Sequence, residues 1–481
     1  LAGMSKREAT EASAGADGGE RRRGWQGSQP ESSSWKPAVC GAESTEHGRH
    51  SSRRQLAEAT SAVRADKVFR QAVGALRAVS LAPPGRERPG RIHPVHSTAC
   101  SQSRRHREWC PPGFGELRQI IDDKERFFEE AKRVQHPLAR VEVSLPVDLQ
   151  CAVDKVCELR ARTPAWRRRR MKRFERIAAS LEPLSARLRA MAPEHVRVAA
   201  GSSHVALYMA LTAAFEWPYS DFAIDHCVRG MPLTGEVKDT GLFRLRSDEE
   251  LQRRRAELVP AVEVLQTNLE WVHQLSLMQQ REWQSARVDA TRMQKLQAAW
   301  DASVKEVQEK GTSEGPFTRE QVDKRFSRGR WRPLGRHALW QGAKFRPIDN
   351  GRASGTNSMY MSREAIVVPR ADCPATIGRA FYARAVEEGW VEECDLGGGA
   401  DDEPDAFRHS ATREPGLTVS SVVDPETGEV RYFVPHGHPF GLEAAIVNFN
   451  SKPELTCAAA RRLFAAVVDH YFDDYVSVEP R

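Results

Sequence analysis

Two adjacent carboxylates near the end of the chain, Asp473 and Asp474, stand among strand formers. Val467, Val468, Tyr471 and Phe472 precede them; Tyr475, Val476 and Val478 follow. Paired acids are costly inside a sheet, so this pattern predicts a hairpin bend at the aspartates, with a cation balancing their charge. The chemistry that uses such a pair is two-metal phosphoryl transfer, which needs a further carboxylate from another strand. The run Gly397–Gly398–Gly399–Ala400–Asp401–Asp402–Glu403–Pro404–Asp405 offers Asp401, Asp402 or Asp405 at the end of such a strand.

Three further segments fall into register with these acids. Tyr471-Phe472-Asp473-Asp474 resembles the YxDD signature of reverse transcriptases. Asp402-Glu403-Pro404-Asp405-Ala406-Phe407 resembles the family's motif A, an Asp followed five residues later by Phe or Tyr. His438-Pro439-Phe440-Gly441-Leu442 resembles motif B, a Pro-x-Gly turn leading into a helix. Lys344-Phe345-Arg346-Pro347-Ile348-Asp349, with Asn357 beyond it, resembles the basic fingers hairpin. Each motif alone is weak; four in the family's order over about 140 residues are specific.

The resemblance implies roles. Asp402 and Asp473 would hold two Mg²⁺ ions (Mn²⁺ as the substitute), with Asp474 assisting and the Glu403 main-chain carbonyl completing the ligand set. Lys344 and Arg346 would grip the triphosphate, Arg through a bidentate fork and Lys as a point charge. Phe440 and Gly441 would floor the nascent pair. Phe407 would lie under the sugar and exclude a 2′-hydroxyl, and the same spacing selects Asp402 among the three acids. The implied activity is RNA-directed DNA polymerisation in a retrotransposon-type element, with an RNA template, a DNA or RNA primer and deoxynucleoside triphosphates as partners. Phe407 and Tyr471 disfavour an RNA-making relative. A reading from another class is a catalytically inactive nucleic-acid-binding remnant. The chain stops at Arg481, so the expected fold is α+β: right-hand polymerase fingers and palm without a thumb, over residues 311–481.

The elements that must position these residues follow from local pattern. The run from Arg330 to Asn350 reads as two strands joined by a tight Gly-containing turn. Residues 417–434 read as a second hairpin turning at Asp424–Gly428, and residues 441–468 as mainly helix. Residues 111–310 are expected to be a basic, mainly helical region. Phe114 to Val134 has helical spacing, ended by His136-Pro137. Trp166 to Arg173 holds six cations that would mostly surround a helix and suit a phosphate-tracking surface. Residues 248–310 form the longest helical pattern, through Leu258, Val262, Leu265, Leu269, Val272 and Leu275, which reads as a packed core helix or helical hairpin, with a short coiled-coil dimer as the alternative. Arg336 reads as a surface strand residue or a phosphate contact, Asp401 and Asp405 as solvated acids, His436 and His438 as turn residues, and Tyr471 and Phe472 as packing residues.

Charge divides the chain. Of 72 Lys+Arg and 65 Asp+Glu, residues 371–481 carry 9 and 20, so a basic body precedes an acidic end. Basic surfaces attract nucleic acid through counterion release. Residues 1–110 are rich in Ser, Gly, Ala, Glu and Arg and are expected to be a disordered basic tail, in which Arg21 to Arg23, Arg104 and Arg105 read as a solvated or nucleic-acid-binding arm. His93, His96, Cys100, His106 and Cys110 supply enough ligands for zinc but match no common finger spacing. The nine cysteines lack a repeating spacing, which suits reduced thiols and an intracellular, nuclear or cytoplasmic protein. No secretory signal pattern is present, and the longest apolar run, Val205 to Phe215, is too short to span a bilayer, so no membrane partner is expected.

Overall fold

A computed structural model describes residues 46–85, 145–201, 203–342, 344–366 and 373–481. Its first elements, α1 (Glu46–Ala65) and α2 (Lys67–Arg77), are two helices within the stretch expected to be mostly disordered. Asp66 caps α2 by accepting from the Val68 amide, and Leu56, Val63, Phe69, Ala72 and Leu76 are buried in a helical core. The other arginine runs of the tail, the candidate zinc ligands and the helix expected over Phe114 to Val134 lie outside the described residues.

Four helices follow: α3 (Val147–Leu159), α4 (Thr163–Arg189), α5 (Glu194–Ala200) and α6 (Val205–Ala214). The cations of the Arg167–Arg173 run are spread around α4 as expected, but two of them are taken up by the protein itself. Arg167 forks onto Glu479 and the Phe464 and Ala465 carbonyls, and Arg170 lies over the Trp166 ring at 4.5 Å. α6 is apolar nearly all round and lies in the core. No described helix is long and apolar enough to cross a membrane.

After the short strands β1 (Gly235–Val237) and β2 (Arg244–Leu245), the long helical pattern breaks into α7 (Asp248–Glu257), α8 (Ala261–Gln266), α9 (Asn268–Ala286) and α10 (Ala290–Gln308). Pro260 starts one helix, and Asp289 caps another by accepting from the Thr291 and Arg292 amides. Of the six periodic residues, Val272 and Leu275 are buried, whereas Val262 and Leu269 are exposed.

The remaining elements are β3 (Ser313–Phe317), α11 (Arg319–Phe326), β4 (Leu334–Gln341), β5 (Lys344–Asp349), β6 (Tyr360–Ser362), β7 (Glu364–Ala365), α12 (Cys373–Glu387), β8 (Leu396–Asp402), β9 (Ser420–Val423), β10 (Val430–Pro435), α13 (Glu443–Phe464), β11 (Val468–Tyr471) and β12 (Asp474–Pro480). Both expected hairpins form, β4–β5 and β9–β10. They share one sheet in the order β3-β10-β9-β4-β5, whose β4–β9 contact is parallel. A second, antiparallel sheet runs β11-β12-β8.

The fold is mixed α+β. α13 joins its parts because it is buried on most sides: Ala444, Ala445, Val447 and Phe449 enter one core, and Leu455, Ala458, Leu463 and Phe464 enter the helical one. The described residues form one compact unit, and α10 packs on β4 and β5.

Candidate active site

The acidic site starts from a two-residue turn. Tyr471 pairs with Asp474, so Phe472 and Asp473 make the bend, with Phe472 at φ +55°. That is a strained backbone for an aromatic residue, held by strands on both sides. Asp474 stands directly across β12–β8 from Asp402, and the Glu403 amide donates to the Asp473 carbonyl at 2.9 Å. Opposed residues of an antiparallel pair share a face with Cβ atoms about 4.5–5.5 Å apart. Asp401 pairs instead with Tyr475 and therefore lies on the other face. Strand parity, independently of any motif, selects Asp402 over Asp401.

Asp473 records the crowding. Burial raises its carboxyl above the usual range, the charges of Asp474 and Asp402 raise it further, and Arg346 pulls the other way. Carboxylate oxygens are hard donors, of the right kind for Mg²⁺. Among the described residues no group of three or more His, Cys, Asp or Glu side chains is placed to hold a metal ion, the acidic turn included. The Glu403 side chain is committed elsewhere: it pairs with Lys452 of α13 and accepts from the Tyr475 hydroxyl at 3.3 Å. Only its main-chain carbonyl is left for a ligand role.

Arg346 comes from the β4–β5 hairpin. Lys344 and Arg346 alternate on one exposed face of β5, while Phe345 turns to the other and meets Trp340 edge-on at 4.8 Å. The positive charge of Arg346 acts to lower the Asp473 carboxyl, against its acidic neighbours.

An aromatic cluster lies behind. Phe407 is 9% exposed and meets Phe440 at 4.9 Å and Phe449 at 5.1 Å, both edge-on; Phe440 is the more exposed ring. Gly441 adopts φ +103°, and a Cβ there would sit 1.9 Å from the Asp349 carbonyl. The Asp349 amide donates to the Phe440 carbonyl at 2.9 Å, so the foot of the basic hairpin is clamped to the glycine loop. Asn357 completes the clamp, donating to the Gly441 carbonyl at 3.1 Å and accepting from the Glu443 amide at 3.0 Å.

Several expected positions are corrected. Arg336 is neither a surface residue nor a phosphate contact: it is buried and forks onto Asp349 at 2.9 and 3.0 Å, with further bonds to Ser303 and Glu306. Arg408 donates to the same Glu306 at 2.7 Å, and Ser420 donates to Asp349 at 2.6 Å. Burial pushes the Glu306 carboxyl up, but the two guanidinium groups outweigh it and hold it at about 2. Asp405 is not simply solvated but paired with Lys310 at 2.5 Å, in left-handed backbone at φ +56°. His438 is fully buried, its Nδ1 at 2.6 Å from the Ser410 carbonyl and its Nε2 at 2.8 Å from Asn448. Tyr471 does not pack inward: it is 49% exposed, edge-on to Phe472. Glu306, Arg408 and Lys452 were not legible as site-supporting residues; the one local signal was the charge of Glu306 and Lys310 one turn apart at the end of α10.

No family model matches the chain, and no curated protein matches its sequence.

Proposed function

We propose that this chain is an RNA-directed DNA polymerase of a retrotransposon-type element, with β4–β5 as fingers and the β11-β12-β8 sheet as palm of a right-hand polymerase. The reading is carried by one observation: strand register sets Asp474 across from Asp402 beside the turn that holds Asp473, and the charge of Arg346 on β5 acts on Asp473 in the opposite sense to these acids. That combination of clustered acids and a facing cation suits a triphosphate and the metal that accompanies it.

In this reading Lys344 and Arg346 bind the β- and γ-phosphates of the incoming deoxynucleotide. Asp402, Asp473 and Asp474 would hold Mg²⁺ or Mn²⁺, which when bound supplies Lewis-acid activation of a primer 3′-hydroxyl and neutralises a leaving pyrophosphate. The Lys452–Glu403 pair and the Glu403–Asp473 main-chain bond hold the two acidic strand ends together. Phe407, wedged between Phe440 and Phe449, presents a fixed ring edge to the sugar. RNA template and primer are the partners, in nucleus or cytoplasm.

The test is extension of oligo(dT) on poly(rA) with Mg²⁺ and dTTP, comparing the chain with its Asp473→Asn/Asp474→Asn variant. Extension by the parent alone supports the reading; equal extension by both overturns it. No extension by either, with RNA binding intact, favours the non-catalytic remnant.

A further inference from the structure

Helix α4 carries a charged face that the acidic site does not use. Successive helical residues turn by about 100°, so Arg168, Arg169, Lys172, Arg173 and Arg176 fall within about 140° of its circumference. All five are exposed, and among the described residues none has a carboxylate partner; Arg176 Nε donates to the Lys172 carbonyl. Glu175 is the one acid at the edge of this arc. Elsewhere comparable arginines are neutralised: Arg189 by Glu182, Arg246 by Glu250, Arg254 by Glu443, Arg255 by Glu236. The opposite face of α4 is committed. Met171, Phe174 and Ile177 pack on the helical core, and Phe174 meets Phe464 edge-on at 5.5 Å.

We propose that this face is a docking surface for a nucleic-acid backbone. Five like charges repel one another unless a polyanion neutralises them. From Arg168 to Arg176 the helix rises about 12 Å, the span of three to four phosphates along one strand of a duplex. An amphipathic basic helix that binds bilayers inserts its apolar face, and that face is buried here. Arg and Lys are the side chains that neutralise phosphates, the contacts that position a protein on a nucleic-acid backbone. The surface is rigidly mounted: Arg167 fixes α4 to Glu479, five residues along β12 from Asp474, or about 17 Å of strand. Its use does not depend on the polymerase reading.

The experiment is fluorescence anisotropy with a fluorescein-labelled 20-nucleotide RNA, and the same sequence as duplex DNA, across a range of NaCl concentrations. It compares the full chain with R168Q/R169Q/K172Q/R173Q/R176Q. Each lost phosphate contact removes about 0.7 (single strand) to 0.9 (duplex) from the slope of log K against log salt, so loss of three or more contacts lowers it by at least about 2. The single variants Arg168→Gln and Arg173→Gln, each lowering the slope by about one contact, serve if the quintuple variant does not fold. Unchanged slope and affinity in variants that melt like the parent would overturn the proposal. So would loss of binding to phosphatidylserine vesicles with RNA and DNA binding retained.

Discussion

Asp402 and Asp474 face one another across the β8–β12 pair, at the ends of strands that meet nowhere in the sequence. Because register sets face, this pairing puts both carboxylates on one side of the sheet and sends Asp401 and Tyr475 to the other. Glu403, one residue beyond Asp402, follows Asp401 in parity and finds Lys452 on α13. Alternation alone thus separates the acids open to a ligand from the acid that anchors the sheet to a helix.

The crowding at Asp473 has a pH signature. Its raised carboxyl means that folding is favoured while the group is protonated, at low pH, and that this contribution is lost as pH rises from the unfolded value near 3.8 through the folded one. Asp473→Asn should therefore melt higher than the parent at pH 7.5 in EDTA, with the difference closing toward pH 4. Mg²⁺ should raise the parent's melting point and leave the Asp473→Asn/Asp474→Asn variant unmoved; at ten times Kd the stabilisation is about 1.4 kcal/mol. Differential scanning fluorimetry with and without the metal checks both.

The buried ion network under the basic hairpin is expected to be a stability hot spot. Arg336→Met leaves Asp349 and Glu306 short of a partner in the interior and should cost about 3–5 kcal/mol. Arg408→Met should also destabilise, and because both arginines share Glu306 the double variant should depart from additivity by more than about 0.5 kcal/mol. Urea unfolding of the two single variants and the double measures this; strict additivity would contradict a shared network.

Gly441→Ala meets two obstacles, a φ of +103° and the Asp349 carbonyl. It should destabilise by more than about 1 kcal/mol. Since the displaced carbonyl belongs to the foot of the basic hairpin, the variant should also raise KM for dTTP more than it lowers kcat, in the polymerase reading. A conservative change at Phe440, beside the same loop, should spare stability by comparison.

Two buried histidines set an acid limit. Burial pushes His438 down to about 4 and His226 to about 3, against 6.5 in the unfolded chain. Stability present above pH 6.5 is lost as pH falls toward those values, by about 1.4 kcal/mol per pH unit for each histidine. His438→Gln should lower stability at pH 7, through its lost bonds to Ser410 and Asn448, yet flatten the pH 6.5–4 slope. Unfolding midpoints at pH 7, 6 and 5 decide it.

Phe407 offers a specificity test of the proposed reaction. Phe407→Ala should open room against the sugar and raise the incorporation of ribonucleotides relative to deoxynucleotides, at some cost in packing against Phe449. Competition between UTP and dTTP on poly(rA)/oligo(dT) reads the ratio; an unchanged ratio in a folded variant would remove Phe407 from the role.

The amino-acid sequence by itself determined the parts governed by near neighbours. β-branched runs and tight turns define the β4–β5 and β9–β10 hairpins, apolar content defines α13, and the cost of paired acids in a strand puts the bend at Asp473. The candidate site residues were legible because their types and order carry chemistry. Tertiary structure alone decided what depends on distant partners. Arg336, an ordinary strand residue by pattern, is buried because Asp349 and Glu306 are there to receive it. α1 and α2 form in a polar, Ser- and Arg-rich stretch because α4 and α6 supply the surface that buries Leu56, Val63, Phe69 and Leu76. Arg167 and Arg170 turn inward toward Glu479 and Trp166, which leaves Arg168, Arg169, Lys172, Arg173 and Arg176 together on a single face of α4. Local propensity is a sum over a few adjacent residues, whereas burial and charge pairing are settled by which chain segments meet.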